Sequence, residues 1–306
     1  MTAPVTVRDA RREDVRAIGL VARASWGETY RDIFEPAFIE DFLERAYSVL
    51  ALEESVRRVA ERPGSVFLVA EREREIVGYL QFGEGQRGPE LFRVYAHPDH
   101  YGTGVGSALL GELHARIRGR VASYVLDVHS RNVRGRAFYD RNGFVIVGGG
   151  ATPECDLTLR RTLDPPQAPI PVETDRLRLR LLRETDTEAA SLHRIYGDPE
   201  VMRWVGGRGE PAASVETTRR SLAWFVRHQT LHGFSLWAID ERDGDPLVGV
   251  AGLLWVEGRG PDVEVAYVLR RDRWGRGYAT EVARAALAMA FGPLGLDRVV
   301  ALAWPE

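Results

Sequence analysis

One pattern constrains both halves of this chain: a short strand, an aromatic residue, a Gly-x-Gly-x-Gly/Ala turn and an alanine- and leucine-rich helix. The first copy is Leu91-Phe92-Arg93-Val94-Tyr95, then Tyr101-Gly102-Thr103-Gly104-Val105-Gly106, then Ser107-Ala108-Leu109-Leu110. The second is Val263-Glu264-Val265-Ala266-Tyr267, then Trp274-Gly275-Arg276-Gly277-Tyr278-Ala279, then Thr280-Glu281-Val282-Ala283. Small residues at alternate positions let backbone N–H groups turn inward against a ligand. The helix presents its unpaired N–H groups and positive dipole end at the same place. Such a turn suits a pyrophosphate, so the chain is expected to hold two sites of this kind, or one and a relic.

Two nucleotide-binding patterns fail. No Gly-Lys-Ser/Thr follows either turn, and the chain contains no lysine at all. The G-x-G-x-x-G fingerprint ends on Ser107 in one copy and Thr280 in the other. Alone, each turn reads equally well as an ordinary strand-to-helix connection.

The next segment changes that balance. Val125-Leu126-Asp127-Val128 reads as a buried strand, followed by Asn132 and by Phe138-Tyr139-Asp140-Arg141-Asn142-Gly143-Phe144. From Leu91 to Phe144 the chain resembles the GCN5-related N-acetyltransferases (GNAT), with a fourth strand, an acyl-CoA loop, a fifth strand, then Asn and Phe-Tyr-x-x-x-Gly-Phe in order. Thr6-Val7-Arg8-Asp9-Ala10 resembles that family's first strand, Trp26-Gly27-Glu28-Thr29-Tyr30 its acceptor-side loop, and Cys155-Asp156-Leu157-Thr158-Leu159 its last strand. In the second half, Glu173 to Arg180, Asp198-Pro199-Glu200-Val201-Met202 and Trp274 to Glu281 resemble the ribosomal-protein N-terminal acetyltransferase branch. The sequence stops at Glu306, where that branch continues into Asn, a helix and a closing strand. An incomplete second domain, more inactive than active, is therefore expected.

The implied fold is α/β: two tandem GNAT-type domains, each a mixed central sheet with helices on both faces, the second without its last helix and strands. At 306 residues, with 44% hydrophobic and 28% charged, the chain can bury two cores. Residues 1–163 and 172–306 form the expected domains, and the proline-rich stretch 164–171 reads as a semi-rigid extended spacer. The first domain is expected to contain helices near 12–25, 36–45, 51–61, 104–118 and 132–141. Its strands fall at 5–9, 66–71, 75–83, 91–96, 123–129, 144–148 and 156–161. The second repeats this order and ends in a strand near 298–303.

A formal charge of -3, with basic and acidic residues interspersed, argues against nucleic acid. The single cysteine, Cys155, excludes an internal disulfide framework and suits a reducing cytoplasm. No signal-peptide core and no apolar run of roughly 18 residues is present, so no membrane association is expected. Without lysine, neither Schiff-base chemistry nor self-acetylation of a side chain is available.

Acetyl transfer from a thioester to an amine needs a fixed cosubstrate, an unprotonated amine, a stabilised oxyanion and a proton for the departing thiolate. The resemblance implies main-chain contacts to acetyl-CoA from Val94 and Ala96. It adds the loop Tyr101, Gly102, Thr103, Gly104, Val105, Gly106 and Ser107, with Tyr101 where relatives usually carry Arg or Gln. His100 and Thr103 are candidates for extra hydrogen bonds. Tyr139 is the implied general acid. Asn132 is either a pantetheine ligand or a helix cap. Glu90 is the first candidate for the base, with Glu28, Asp127 and His129 behind it. Trp26, Tyr30 and Phe34 are read as acceptor-pocket lining or as core. In the second domain Trp274, Gly275, Arg276, Gly277, Tyr278 and Ala279 form the corresponding loop, and Glu264 stands in the place of Glu90. His228 and His232, one helical turn apart, lack a third ligand for a metal.

The expected activity is transfer of an acetyl group to a small amine or a peptide N-terminus, chiefly in the first domain. The rival is a non-catalytic acyl-CoA or metabolite sensor whose second domain is an interaction scaffold. Homo-oligomerisation is left open.

Overall fold

The computed structural model describes residues 3–149, 156–205 and 210–303. Cys155 lies outside them. The chain divides into two compact units, Met1–Asp164 and Pro165–Glu306.

The first unit runs β1 (Thr6–Asp9), α1 (Val15–Tyr30), α2 (Pro36–Tyr47), α3 (Val49–Glu61), β2 (Val66–Arg72), β3 (Glu75–Gly85) and β4 (Gly88–Ala96). It continues with α4 (Val105–Ile117), β5 (Ser123–His129), α5 (Val133–Arg141), β6 (Val145–Gly149) and β7 (Asp156–Thr162). The sheet order is β1-β2-β3-β4-β5-β7-β6, antiparallel except for β4 and β5. Alternation along β2 assigns the two faces. Val66, Leu68 and Ala70 join a core with Val105, Leu109, Leu110 and Leu113 of α4, while Phe67 and Val69 join Ile18, Trp26 and Leu43 of α1 and α2. Gly78 of β3 lets α4 approach: a Cβ there would lie 2.6 Å from Val105 and 2.9 Å from the Tyr95 carbonyl.

The second unit comprises β8 (Val172–Glu173), β9 (Leu177–Arg180), α6 (Asp186–Tyr196), α7 (Pro199–Met202), α8 (Val215–His232) and β10 (Leu236–Glu241). β11 (Gly249–Trp255), β12 (Val263–Leu269) and α9 (Tyr278–Phe291) follow. Its sheet, β12-β11-β10-β9-β8, carries α9 on one face and α6, α7 and α8 on the other. Where a terminal strand near 298–303 is expected, one parallel bridge joins Glu264 to Val300.

The proline-rich stretch packs on the second unit. Ala168 is buried in the core beneath α9, Ile170 packs against it, and the Ala168 N–H donates to the Gly233 carbonyl at 2.8 Å. Proline fixes the backbone, but the apolar residues between the prolines dock it.

Candidate active site

β4 and β5 are parallel and pair at one point, Glu90 with Val125. No further pair joins them among the described residues, so the later part of β4 has a strand on one side only. The His97 N–H donates to the Val77 carbonyl at 2.8 Å, and Tyr79 faces Tyr95 in the same antiparallel ladder. Hydrogen-bonded pairs alternate along such a ladder, so Val94 and Ala96 turn their N–H and C=O groups toward the open edge. A bulge at Phe92, between the pairs Gln81–Arg93 and Phe82–Leu91, bends the strand just before it.

The turn after β4 ends at that edge. Gly102 and Gly104 have φ of +73° and +90°, a left-handed conformation that suits glycine, and Gly104 caps α4. Added Cβ atoms on either would meet nothing within 4 Å. The space before the loop is therefore open, and the first-turn N–H groups of α4 have no acceptor within the helix. No acidic residue occupies that first turn. Gly106 serves packing instead: a Cβ there would lie 2.8 Å from the Phe138 ring.

Side chains far away in sequence hold the loop. Arg72, buried at the end of β2, donates to Thr103 Oγ1 at 3.0 Å and to the Thr103 carbonyl at 3.2 Å, and its guanidinium contacts His100 Nδ1 at 3.0 Å. Thr103 Oγ1 in turn donates to the His100 carbonyl at 2.8 Å. The side chains of His100 and Thr103 are thus used inside the loop rather than turned outward. The Tyr101 hydroxyl lies 3.2 Å from Ser25 Oγ and 3.4 Å from Thr29 Oγ1, tying the loop to α1. Neither Arg72 nor this tether has a local sequence signal, because the partners are separated by about a quarter of the chain or less and by no repeating pattern.

Asn132 caps α5, its Oδ1 accepting from the Gly135 N–H at 2.8 Å. Tyr139 follows in the same helix, its ring 5.2 Å from that of Phe144. Burial raises the Tyr139 phenol above its ordinary pKa, with a smaller contribution from the phenol of Tyr30. Tyr30 belongs to α1, against the opposite face of the sheet. Burial raises its own phenol too, while the polar side chains of Tyr95 and Asn132 pull it back. Trp26 and Tyr30 are 7% and 8% exposed and stack within the core, so neither is an open pocket wall; Phe34, half-buried, stands edge-on to His129 at 5.2 Å.

The candidate bases separate. Glu90 sits where β4 is still paired, over Gly85 and 3.7 Å from Arg87. Arg87 reaches Asp127 at 2.6 Å, and Asp127 accepts from Thr158 at 2.8 Å. His129 is buried at the end of β5 and accepts the Arg131 N–H at 3.2 Å. Glu28 lies 3.3 Å from Arg31.

The second unit repeats the frame with different supports. Gly275 and Gly277 have φ of +70° and +75°, and α9 begins at Tyr278. The half-exposed Trp274 donates its indole N–H to the Leu269 carbonyl at 3.0 Å. Arg176 donates to the Arg276 carbonyl at 2.8 Å, covers the Tyr278 ring at 4.8 Å and pairs with Glu281 at 2.6 Å. The Tyr278 hydroxyl donates to Glu241 at 2.9 Å, so its side chain faces the protein. Ala279 packs on the core beneath α9. Glu264 occupies the position of Glu90 and burial raises its pKa. His228 is buried, its Nδ1–H donating to the Phe234 carbonyl at 2.8 Å and its Nε2 facing the Trp255 N–H at 3.4 Å. Both its nitrogens are occupied by the fold.

Each frame places a left-handed glycine turn before the N-terminus of a helix. The acetyltransferase (GNAT) domain family matches residues 176–306 and, separately, residues 63–146. An uncharacterised Bacillus subtilis protein, YkkB, is 31% identical over 133 residues, 43% of this chain and 74% of its own length. A spermidine N(1)-acetyltransferase of Thermoplasma acidophilum is 28% identical over 143 residues, 46% of this chain and 89% of its own. The crystal structure of a PaiA N-acetyltransferase from Thermoplasma acidophilum, in complex with coenzyme A, aligns over 52% of this chain and 99% of its own, at 26% identity and a TM-score of 0.48. The chain belongs to the GNAT acetyltransferase family and carries one of its domains in each half.

Proposed function

We propose that this protein transfers an acetyl group from acetyl-CoA to a primary amine by direct attack, with catalysis mainly in the first unit. The supporting observation is the open edge of β4 leading into the glycine loop before α4, with Val94, Ala96 and Tyr139 packed against one core. When bound, acetyl-CoA supplies the activated acyl group and a thiolate leaving group. The N–H groups from Gly102 to Ser107 hold the pyrophosphate, Val94 and Ala96 offer main-chain partners to the pantetheine arm, and Asn132 fixes the start of α5. Tyr139 stays protonated at neutral pH and is the donor to the leaving sulfur. Glu90 is the base; it lies four residues, roughly 13 Å of strand, before Val94. It therefore draws the amine proton through water. The loop Trp274 to Ala279 is a second cosubstrate site.

The acceptor is a small amine or a peptide N-terminus, and the polyamine acetyltransferase among the relatives favours the former. Titration of acetyl-CoA into the full chain gives affinity and stoichiometry. Thiol release with spermidine, amino acids and short peptides then gives turnover. Binding with no thiol release from any amine would favour an acyl-CoA sensor over an enzyme.

A further inference from the structure

We propose that Arg134 is a pyrophosphate ligand, supplied from α5 and held in place by Tyr101; this rests on the cosubstrate reading above. The turn itself carries no cationic side chain between Tyr101 and Ser107. Tyr101 stands at its first position, and the guanidinium of Arg134 lies over its ring, 4.3 Å from the centroid.

Two contacts fix where that cation sits. Arg134 and Phe138 are four residues apart in α5 and share one face of it. Phe138 closes on Gly106, at the far end of the turn, and Arg134 closes on Tyr101, at its beginning. One helical face thus spans the loop. The ring of Tyr101 is itself anchored, since its hydroxyl meets Ser25 and Thr29 of α1.

The charges around Arg134 leave it available. Its carboxylate neighbour is Glu28, at 4.0 Å, and Glu28 has a closer partner in Arg31 at 3.3 Å. The Arg134 side chain is 59% exposed. A planar guanidinium stacked on an aromatic ring keeps its N–H edge free for bidentate phosphate bonds. Tyr101 therefore replaces a charged loop residue by positioning a charge from another helix. The second unit builds its loop otherwise: Arg176 covers Tyr278 but is paired with Glu281, which engages that cation internally.

The test compares binding of CoA, dephospho-CoA and pantetheine by the full-length wild type, R134A, Y101A and the double variant, with melting temperatures as a folding control. R134A is expected to weaken CoA and dephospho-CoA alike by about 10-fold or more, the loss of a charge-assisted hydrogen bond. Pantetheine binding stays unchanged. Y101A should weaken both nucleotides less, and the double variant should be no weaker than R134A alone. CoA affinity untouched by R134A would overturn the proposal, and so would a loss confined to CoA, which would assign Arg134 to the 3′-phosphate. A wild type that binds none of the three ligands would overturn the cosubstrate reading itself, a result distinct from either.

Discussion

Glu90 and Val125 form the one pair that joins the parallel strands β4 and β5 among the described residues, and the open edge of β4 lies after it. A continued ladder would satisfy the N–H and C=O groups of Val94 and Ala96 within the sheet. Stopping it leaves groups that require a partner, water or ligand. Glu264 and Val300 make the same parallel contact at the start of β12, with the Val265 N–H donating to the Val300 carbonyl at 2.9 Å.

Replacement of Tyr139 by Phe is expected to lower the acetylation rate by roughly 100-fold if the phenol supplies the proton. CoA affinity should hardly change, because the ring still packs on Phe144. Single-turnover thiol release, set beside a binding titration, separates the two effects. An unaltered rate removes Tyr139 from the mechanism.

Gly104→Val acts on the backbone rather than by collision. A Cβ at that position meets nothing, but φ of +90° costs a β-branched residue about 1–2 kcal/mol or forces the loop to turn. Loss of CoA binding with little change in far-ultraviolet circular dichroism is the expected result. Retained micromolar affinity would mean the N–H groups before α4 are not the phosphate site.

Arg72 is a positioning residue that reaches the loop through His100 and Thr103. Arg72→Met removes the donors to Thr103 and is expected to cost about 1–3 kcal/mol in the first unit. Amide exchange at Gly102 to Val105 should accelerate and CoA affinity fall, while the KM for the amine stays constant. Equal exchange rates in both proteins would show that the loop holds itself.

Acid should loosen the second unit through His228. Burial lowers its pKa to about 4, although the Phe234 carbonyl pulls it back upward. The unfolded chain takes up a proton below about pH 6.5, and the folded one only near 4. Stability is therefore lost as pH falls through that window, by about 2 kcal/mol between pH 7 and pH 5. Urea unfolding at the two pH values measures it, and His228→Gln should flatten the dependence of one transition. A slope unchanged by that substitution would assign the acid sensitivity elsewhere.

Glu264 runs the opposite way. Its folded pKa is raised by burial, so its contribution to stability is full below the unfolded pKa, where the carboxyl is protonated, and is lost as pH rises through the folded one. Glu264→Gln should raise the melting temperature of the second unit at pH 7 and leave it unchanged near pH 3.5. Equal melting at both pH values would mean that the carboxylate is hydrated.

The sequence made the repeated turns, the strand at 123–129 and the Asn132 and Tyr139 helix legible, since each depends on neighbours within a few residues. Helix α1, expected near 12–25, extends to Tyr30 because Trp26 and Tyr30 pack into the core. Burial also decided against both as pocket walls. The supports of the two loops were invisible: Arg72 to Thr103 and Arg176 to Glu281 are pairings over long sequence separations. Composition can announce many arginines but not which carbonyl each one reaches.

The strap at 166–170 sets where the second unit can be cut free. Gly233, at φ of +82°, has no room for a side chain because the Pro166 carbonyl passes 1.9 Å from where its Cβ would lie. A fragment begun at Val172 would strip Ala168 from beneath α9 and leave the Gly233 carbonyl with the Gln229 side-chain amide but without the Ala168 N–H. One begun at Pro165 would keep both, so the starting residue alone decides whether an isolated second half folds with a closed core or an open one.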